Sequence, residues 1–533
     1  MLIKFSKSFF YGDNMDNRKT FFSGALSLTV AALIVKIIGV AYKIPMSYIL
    51  GDEGMGYFNA AYTVYGLFYI ITSAGIPKAM AIATASSEDK ENGINFPLYK
   101  SLVFIFGVFG VILTVLLVAF ASPLASLVGS NKSYITLLSI APSVFFVTVS
   151  GVARGYLNGR IKLLPIAISQ VIEALSKLIF GIVFAMIGIG LYLPLPIISA
   201  FSIFGITIGS FASMVYLLVV AKKSEEKEKI GQSRDFSIKR TLYKLIKIAL
   251  PITLSSAILS ASGVFDLSFL MRGLNDLGYT ENAAISLYGN YTTLAVPMIT
   301  LVASVLAPIT VSILPRLVGN LNDLTEWRRI ADSSYIITFA LALPCALIFL
   351  LYSFDILDVL YALFPSAEGA EALSILSIAA LLLPLLNLAN TFLESRGRVV
   401  QTLISLTIGV VVKLALSVIF LFVSGYDLYV VPLTTIISYG VSLIISLVLV
   451  SREAGFKPPI VTLYLFVGAS ISFALPYLLI YTVGYIQNSF FAMIVCIIIS
   501  LLIYAIIVFS TIKGSVFKDF EVQNAQKNNE PII

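Results

Sequence analysis

The chain consists of long apolar segments separated by short polar turns. An apolar stretch of about 18 or more residues is long enough to cross a bilayer as a helix. The pattern therefore predicts an all-α polytopic membrane protein with about 14 transmembrane helices. The predicted spans are residues 22–50, 55–85, 98–121, 133–157, 162–188, 197–220, 242–272, 283–312, 331–352, 370–394, 401–423, 428–450, 459–482 and 489–512.

Composition agrees with this class of protein. Of 533 residues, 59% are hydrophobic and 12% are charged, which is outside the range of soluble globular domains. The two cysteines, Cys345 and Cys496, lie inside apolar segments and are predicted to be inert hydrophobic side chains. The chain has no histidine, so histidine-dependent nucleophiles and histidine proton relays are excluded.

Positive charge alternates along the turns, as the positive-inside rule requires. Lysine and arginine concentrate in every second turn, at residues 78–100, 154–162, 222–247, 316–329, 396–398, 452–457 and 513–527. The intervening turns are acidic, and their clear bases are Lys132 and Arg272. This predicts a multi-pass protein of the cytoplasmic membrane with both termini in the cytoplasm. The net charge of +7 is then topological, and we expect no nucleic-acid partner.

The N-terminal region contains no apolar segment long enough for a cleavable signal peptide. Met15 precedes a charged run and the first predicted span. The sequence leaves open whether translation starts at Met1 or at Met15.

The longest hydrophilic loop and an internal repeat predict the domain organisation. The segment Ile135–Ala141 resembles Leu373–Ala379, and the same ungapped register places Gly159-Arg160 on Gly397-Arg398. A parallel duplication of this kind predicts two six-helix lobes plus a C-terminal helix pair. The predicted parts are an N-terminal lobe (22–220), a cytoplasmic linker (221–241), a C-terminal lobe (242–450), the helix pair (459–512) and a cytoplasmic tail (513–533).

Two lysines lie inside the first span. Lys36 and Lys43 are seven residues apart, about two helical turns, so they share one helix face. A charge at bilayer depth costs about 3 kcal/mol or more unless it faces protein or water. Lys43 either extends its ammonium group to the interface or lines a cavity, whereas Lys36 is too central to reach the interface and is predicted to line a cavity. Both lysines are candidate substrate-binding residues. Such a cationic face suits an anionic head group such as a pyrophosphate.

The fifth and eleventh spans carry polar stripes at helical spacing. Gln170, Glu173 and Lys177 lie on one face, and Glu173 to Lys177 has the favourable order for an ion pair. The stripe is either a buried pair that fixes packing or a cavity surface. Lys413 belongs to the comparable stripe of the eleventh span, and both lysines are candidate substrate-binding residues.

Asp266 is a lone carboxylate within the seventh span. With Asn387 and Asn390 of the tenth span it could ligate a hard cation such as Na⁺ through oxygen atoms. The favoured alternative is an ion pair between Asp266 and a lysine or arginine of another helix. Arg272, near the outer end of the same span, is a further candidate for substrate binding.

The sequence contains neither a phosphate-binding GxxxxGK[ST] loop nor a cluster of metal-ligating or catalytic residues. We therefore expect no enzymatic activity and no cofactor. Active transport would depend on a gradient, with Na⁺ or H⁺ as the candidate coupling ion.

Four motifs resemble a known family. They are KIIGVAYKIPMSYILGDEGMGYFNAAYTVYGLFYIITSAGIP, RGYLNGR followed by AISQVIEALSK, SGVFDLSFLMRGL, and TVSILPRL. Together they resemble the stage V sporulation protein B-like polysaccharide biosynthesis proteins, within the multidrug/oligosaccharidyl-lipid/polysaccharide flippase superfamily. The resemblance implies two six-helix lobes that work by alternating access. It also implies a role in the cell wall or in sporulation, and a lipid-linked saccharide substrate for which lipid II, the peptidoglycan precursor, is the leading candidate.

Two other functions remain open at this stage. One is a multidrug or cation antiporter of the same fold, which would need carboxylates facing its cavity. The other is a non-transporting scaffold for an envelope or spore-cortex synthase. In each case membrane lipids surround the protein, and envelope synthases are candidate partners.

Overall fold

The computed structural model describes residues 15–85, 94, 96–227, 238–361, 367–423, 429–482 and 489–527. Regular structure in these ranges is helical, without strands, which confirms the all-α prediction. Residues 1–14, which bear on the choice between Met1 and Met15, lie outside the described residues. So do 228–237 of the predicted linker and 528–533 of the predicted tail.

The helices are numbered in chain order. They are α1 (Met15–Ser73), α2 (Gly75–Ala85), α3 (Phe96–Ala119), α4 (Ala121–Leu127), α5 (Tyr134–Ile140), α6 (Pro142–Gly159), α7 (Leu163–Gly190), α8 (Leu195–Lys227), α9 (Ile238–Asp276), α10 (Glu281–Asn290), α11 (Val296–Gly319), α12 (Leu324–Leu360), α13 (Ala367–Ser395), α14 (Val399–Val423), α15 (Val430–Ala454), α16 (Val461–Pro476) and α17 (Ser489–Lys527). Two π-helical turns, Tyr291–Ala295 and Tyr477–Tyr481, follow α10 and α16.

Thirteen helical segments of the described residues are long and apolar enough to span a membrane. The first of them, Val30–Thr84, contains 55 residues. A straight helix of that length would measure about 80 Å, more than twice the hydrocarbon thickness of a bilayer. This segment must therefore account for two crossings, which gives the fourteen predicted from the sequence.

The chain turns back on itself at Gly51 in the middle of α1. Gly51 has φ 64° and ψ −174°, a backbone conformation that is nearly exclusive to glycine. The ring centres of Tyr42 and Phe58 are 6.0 Å apart, whereas the same residues in a straight helix would be about 24 Å apart. Residues on either side of Gly51 thus form a first arm and a second arm of one hairpin.

Replacing Gly51 with alanine should destabilise this hairpin. A side chain at the Gly51 backbone angles is expected to cost about 1–3 kcal/mol of unfolding free energy, measured by denaturant titration in detergent micelles. Gly39→Ala is the matched control, because a Cβ atom there meets nothing within 4 Å. Equal stability of the two variants would contradict the assignment of the turn to Gly51.

The chain forms two compact units, residues 1–297 with 406–434, and residues 298–405 with 435–533. The first has a core of α2, α3 and α6 in which Tyr99 stacks on Tyr156 with ring centres 4.3 Å apart. The second contains Phe392 at the centre of edge-to-face contacts with Trp327 and Phe456. The unit boundary falls within α11 rather than in the predicted linker, and the division into six-helix lobes stays a prediction.

Candidate functional site

A cluster of two lysines and two tyrosines forms where the α1 hairpin packs against α7. We call Tyr42, Lys43, Tyr62 and Lys177 the lysine–tyrosine cluster. The Lys177 Nζ atom lies 4.8 Å from the ring centre of Tyr42 and 5.2 Å from that of Tyr62. Both distances are within the range of attractive cation–π contacts. Tyr42 belongs to the first arm and Tyr62 to the second, so the reversal at Gly51 creates this arrangement.

Lys43 is the second cation of the cluster. Its Nζ atom donates a hydrogen bond of 3.0 Å to the carbonyl oxygen of Thr292. Thr292 lies in the π-helical turn that follows α10, and such turns are frequent at functional sites. Lys43 follows Tyr42 directly in the chain, and Tyr42 contacts Lys177, so the cluster contains two basic side chains.

The Glu173–Lys177 ion pair suggested by the sequence spacing does not form. The Glu173 carboxylate binds the Arg154 guanidinium instead, with Oε2 and Nη2 2.7 Å apart. Arg154 also donates to the hydroxyl groups of Ser213 and Ser169, at 3.0 and 3.3 Å. A guanidinium offers several donors in a fixed plane and can satisfy all three partners at once. Glu173 therefore forms an ion pair, as one interpretation predicted, but its partner lies on α6; whether the pair fixes packing or lines a cavity stays open.

Asp266 forms an ion pair with a basic residue, which was the favoured alternative to a cation site. Its Oδ2 atom forms an ion pair with Lys413 of α14. The two side chains are 12% and 9% exposed, and Oδ1 of Asp266 is buried without a hydrogen bond within the described parts of the chain. Lys413, predicted to bind substrate, is thus neutralised by Asp266.

The other predicted residues occupy separate positions. Lys36 is exposed on the first arm, and Gln170 is half-buried on α7. Arg272 is exposed, with Nη2 3.5 Å from the carbonyl oxygen of Leu127. The substrate-binding roles predicted for Lys36 and Arg272, and the cavity role predicted for Gln170, stay predictions.

The asparagines of the predicted cation site lie on α13. Asn390 is buried and accepts a hydrogen bond of 3.0 Å from Ser446, whereas Asn387 is exposed. Asp266 belongs to the other compact unit, so the cation site stays a prediction.

The turns after α6 and α13 have the same hydrogen-bond pattern. The Lys162 amide donates to the Leu157 carbonyl oxygen, and the Arg398 amide donates to the Leu393 carbonyl oxygen, both at 2.9 Å. The same pattern also ends α4, where the Ser130 amide donates to the Ala125 carbonyl oxygen at 3.0 Å. The internal repeat and its register therefore stay a prediction.

Lys177 of α7 and Lys413 of α14 have different partners. Lys413 has a buried carboxylate partner, whereas Lys177 makes no ion pair within 4.0 Å among the described residues and packs against tyrosine rings. Of these two lysines, Lys177 is therefore the one whose ammonium group has no directly bound carboxylate.

Sequence reasoning missed Arg154 and the two tyrosines. Arg154 was counted only among the bases that define topology, because its partner Glu173 lies on a different helix. Tyr62 could have been found from the sequence, since Tyr62, Tyr65 and Tyr69 recur at helical spacing on one face of the second arm.

The fold and the site define an integral membrane protein with buried ion pairs and a cationic, tyrosine-lined cluster inside its spans. The chain belongs to the polysaccharide biosynthesis protein family, whose model matches residues 21–320. This confirms the family resemblance carried by the sequence motifs.

Two curated relatives come from Bacillus subtilis strain 168. Stage V sporulation protein B is 29% identical over 308 residues, which is 56% of this chain and 58% of that protein. The lipid II flippase MurJ is 25% identical over 244 residues, 43% of this chain and 45% of that protein. The chain thus aligns with about half the length of the curated relatives it matches.

Solved structures show the same fold. The lipid II flippase MurJ in an inward closed conformation has a TM-score of 0.64 at 18% identity, covering 92% of this chain and 99% of that one. An inward-facing multidrug resistance MATE family transporter of the MOP superfamily has a TM-score of 0.60 at 16% identity, covering 80% and 98%. At these identities the likeness concerns the fold alone.

Proposed function

We propose that the protein is a flippase that moves a lipid-linked saccharide across the cytoplasmic membrane by alternating access, with lipid II as the leading candidate substrate. The observation that carries this proposal is Lys177, a basic side chain inside a membrane span that packs against two tyrosine rings. The family description and the relative named as the lipid II flippase MurJ support the same substrate class.

The charge of the cluster favours an anionic ligand. Two basic side chains at bilayer depth are costly unless they face water, a protein partner or an anion. The Lys43 ammonium group has one protein acceptor, the Thr292 carbonyl oxygen. A pyrophosphate can accept charge-assisted hydrogen bonds from both lysines. In the transport cycle, Lys43 and Lys177 would bind the pyrophosphate of the substrate, and the saccharide would lie beside it in the same water-filled space.

An organic-cation antiporter is less well supported. Such a transporter needs an available carboxylate in its cavity, and the two carboxylates predicted to face one are engaged. Glu173 is bound by Arg154, and Asp266 by Lys413. Drug efflux would require one of these ion pairs to open.

The remaining parts of the proposal concern the protein's cellular location, its topology and the ion that drives transport. We propose a location in the cytoplasmic membrane with both termini in the cytoplasm, and transport without chemical conversion of the substrate. The candidate coupling ions are Na⁺ and H⁺, and envelope synthases are candidate partners. Imposing each gradient separately on proteoliposomes would show which one drives flipping.

Replacing Lys177 with methionine should strongly reduce flipping. Loss of a charge-assisted hydrogen bond is worth about 1.5–3 kcal/mol, so we expect a roughly tenfold to hundredfold lower rate. The measurement is a reconstituted flipping assay with a panel of undecaprenyl-pyrophosphate-linked saccharides. Lys222→Met is the control, because Lys222 is exposed near the end of α8.

Wild-type activity of Lys177→Met would overturn the assignment of the cluster. A flipping-inactive variant that fully complements a deletion strain would instead favour the scaffold function.

A further inference from the structure

The second arm of α1 carries a row of aromatic side chains that the lysines alone do not explain. Phe58, Tyr62, Tyr65 and Tyr69 follow one another along one helix face. Their successive ring centres are 6.2, 6.0 and 5.8 Å apart. The row passes beside Lys177, which lies over the ring of Tyr62.

Tyr62 is the member of the row with the most accessible ring. Phe58 and Tyr65 are buried, at 2% and 3% exposure, whereas Tyr62 is 44% exposed. Phe58 stacks nearly parallel to it at an interplanar angle of 17°, and Tyr65 packs on the other side of it along the helix. These neighbours restrict the Tyr62 ring, so a ligand would meet it with little loss of conformational entropy.

Tyr62 is exposed beside the Lys177 ammonium group. Because hydrocarbon chains do not solvate a cation, we expect this surface to face water rather than lipid. An exposed aromatic ring beside a cation inside a membrane span combines an apolar face with a polar rim. A sugar ring next to a pyrophosphate has the complementary surface, since its axial C–H groups form an apolar face and its hydroxyl groups lie at the edge.

We propose that Tyr62 is the platform on which the first sugar of the lipid-linked saccharide stacks while Lys43 and Lys177 bind the pyrophosphate. This inference rests on the proposed function and adds the residue that distinguishes a saccharide-bearing lipid from the bare carrier. Tyr69, one step further along the same face, extends the platform to a second sugar. Phe58 and Tyr65 restrict the orientation of the Tyr62 ring by packing on either side of it along the helix.

The test compares two probes on the full-length protein in nanodiscs. One is undecaprenyl pyrophosphate, and the other is the same lipid carrying a disaccharide. Tyr62→Leu removes the ring, and we expect a roughly threefold to tenfold weaker affinity for the saccharide lipid, as for the loss of one aromatic contact. Affinity for undecaprenyl pyrophosphate should fall by a clearly smaller factor, because Tyr62 also contacts Lys177 through its ring, and binding of this probe shows that the variant is folded.

Three further variants sharpen the comparison. Tyr62→Phe keeps the ring and should retain most of the saccharide affinity. Lys177→Met should weaken binding of both probes. Tyr464→Leu removes a comparably exposed tyrosine of α16 and should affect neither.

The outcomes separate this inference from the proposed function. If the wild type binds both probes and Tyr62→Leu weakens both equally or neither, the platform is overturned and the flippase proposal stands. If the wild type binds neither probe, the flippase proposal is overturned and the platform with it.

Discussion

Replacing Asp266 with alanine should cause one of the largest losses of stability available to a single substitution in this protein. The change leaves the ammonium group of Lys413 buried without its carboxylate. Breaking a buried ion pair from one side typically costs about 3–5 kcal/mol, because the remaining charge has neither water nor a partner. The measurement is the free energy of unfolding by denaturant titration in detergent micelles.

A double variant separates the stranded charge from the loss of the pair. Asp266→Asn combined with Lys413→Gln keeps similar volumes and removes both charges. Removing both partners of a buried pair is often nearly neutral, so we expect the double variant to regain most of the stability lost in Asp266→Ala. Unfolding free energies of Asp266→Asn and Lys413→Gln that simply add in the double variant would show that the two side chains do not interact.

Most of the fold followed from the sequence, because membrane-spanning helices are defined by local composition. The fourteen crossings and the polar stripes on α7 and α14 are visible as patterns. The register of the internal repeat stays a prediction, because apolar segments match in several registers.

The sequence predicted which charged residues belong to the site, but it did not predict which residues they contact. Spacing identified Lys43, Lys177 and Asp266 as groups that need neighbours. It could not supply those neighbours, because Lys413 is far along the chain from Asp266, and Tyr42 and Tyr62 are far along the chain from Lys177. A local rule paired Glu173 with Lys177, and the stronger interhelical contact to Arg154 prevailed.

The second large effect is expected at the seam between the second arm of α1 and α10. A Cβ atom on Gly56 would lie 2.2 Å from the carbonyl oxygen of Ile285, and one on Gly289 would lie 2.3 Å from that of Asp52. Real Cβ atoms essentially never show such distances, so any side chain forces the two helices apart. Both helices belong to the first compact unit, and Gly289→Ala should favour a state in which the seam between them is open.

Accessibility of a buried reporter measures that shift. Thr293 is fully buried and accepts a 2.7 Å hydrogen bond from Asn59 across the seam. In a background without Cys345 and Cys496, Thr293→Cys should react slowly with a water-soluble maleimide. Adding Gly289→Ala should raise the rate about tenfold or more, equivalent to at least about 1.4 kcal/mol toward opening.

Gly66→Ala is the matched control on the second arm, because a Cβ atom there meets nothing within 4 Å. It should leave the labelling rate of Thr293→Cys unchanged. Flipping should fall with Gly289→Ala and not with Gly66→Ala, since alternating access requires the seam to close as well as open. Slow labelling together with normal flipping in Gly289→Ala would mean that the seam tolerates a methyl group and is not the moving contact.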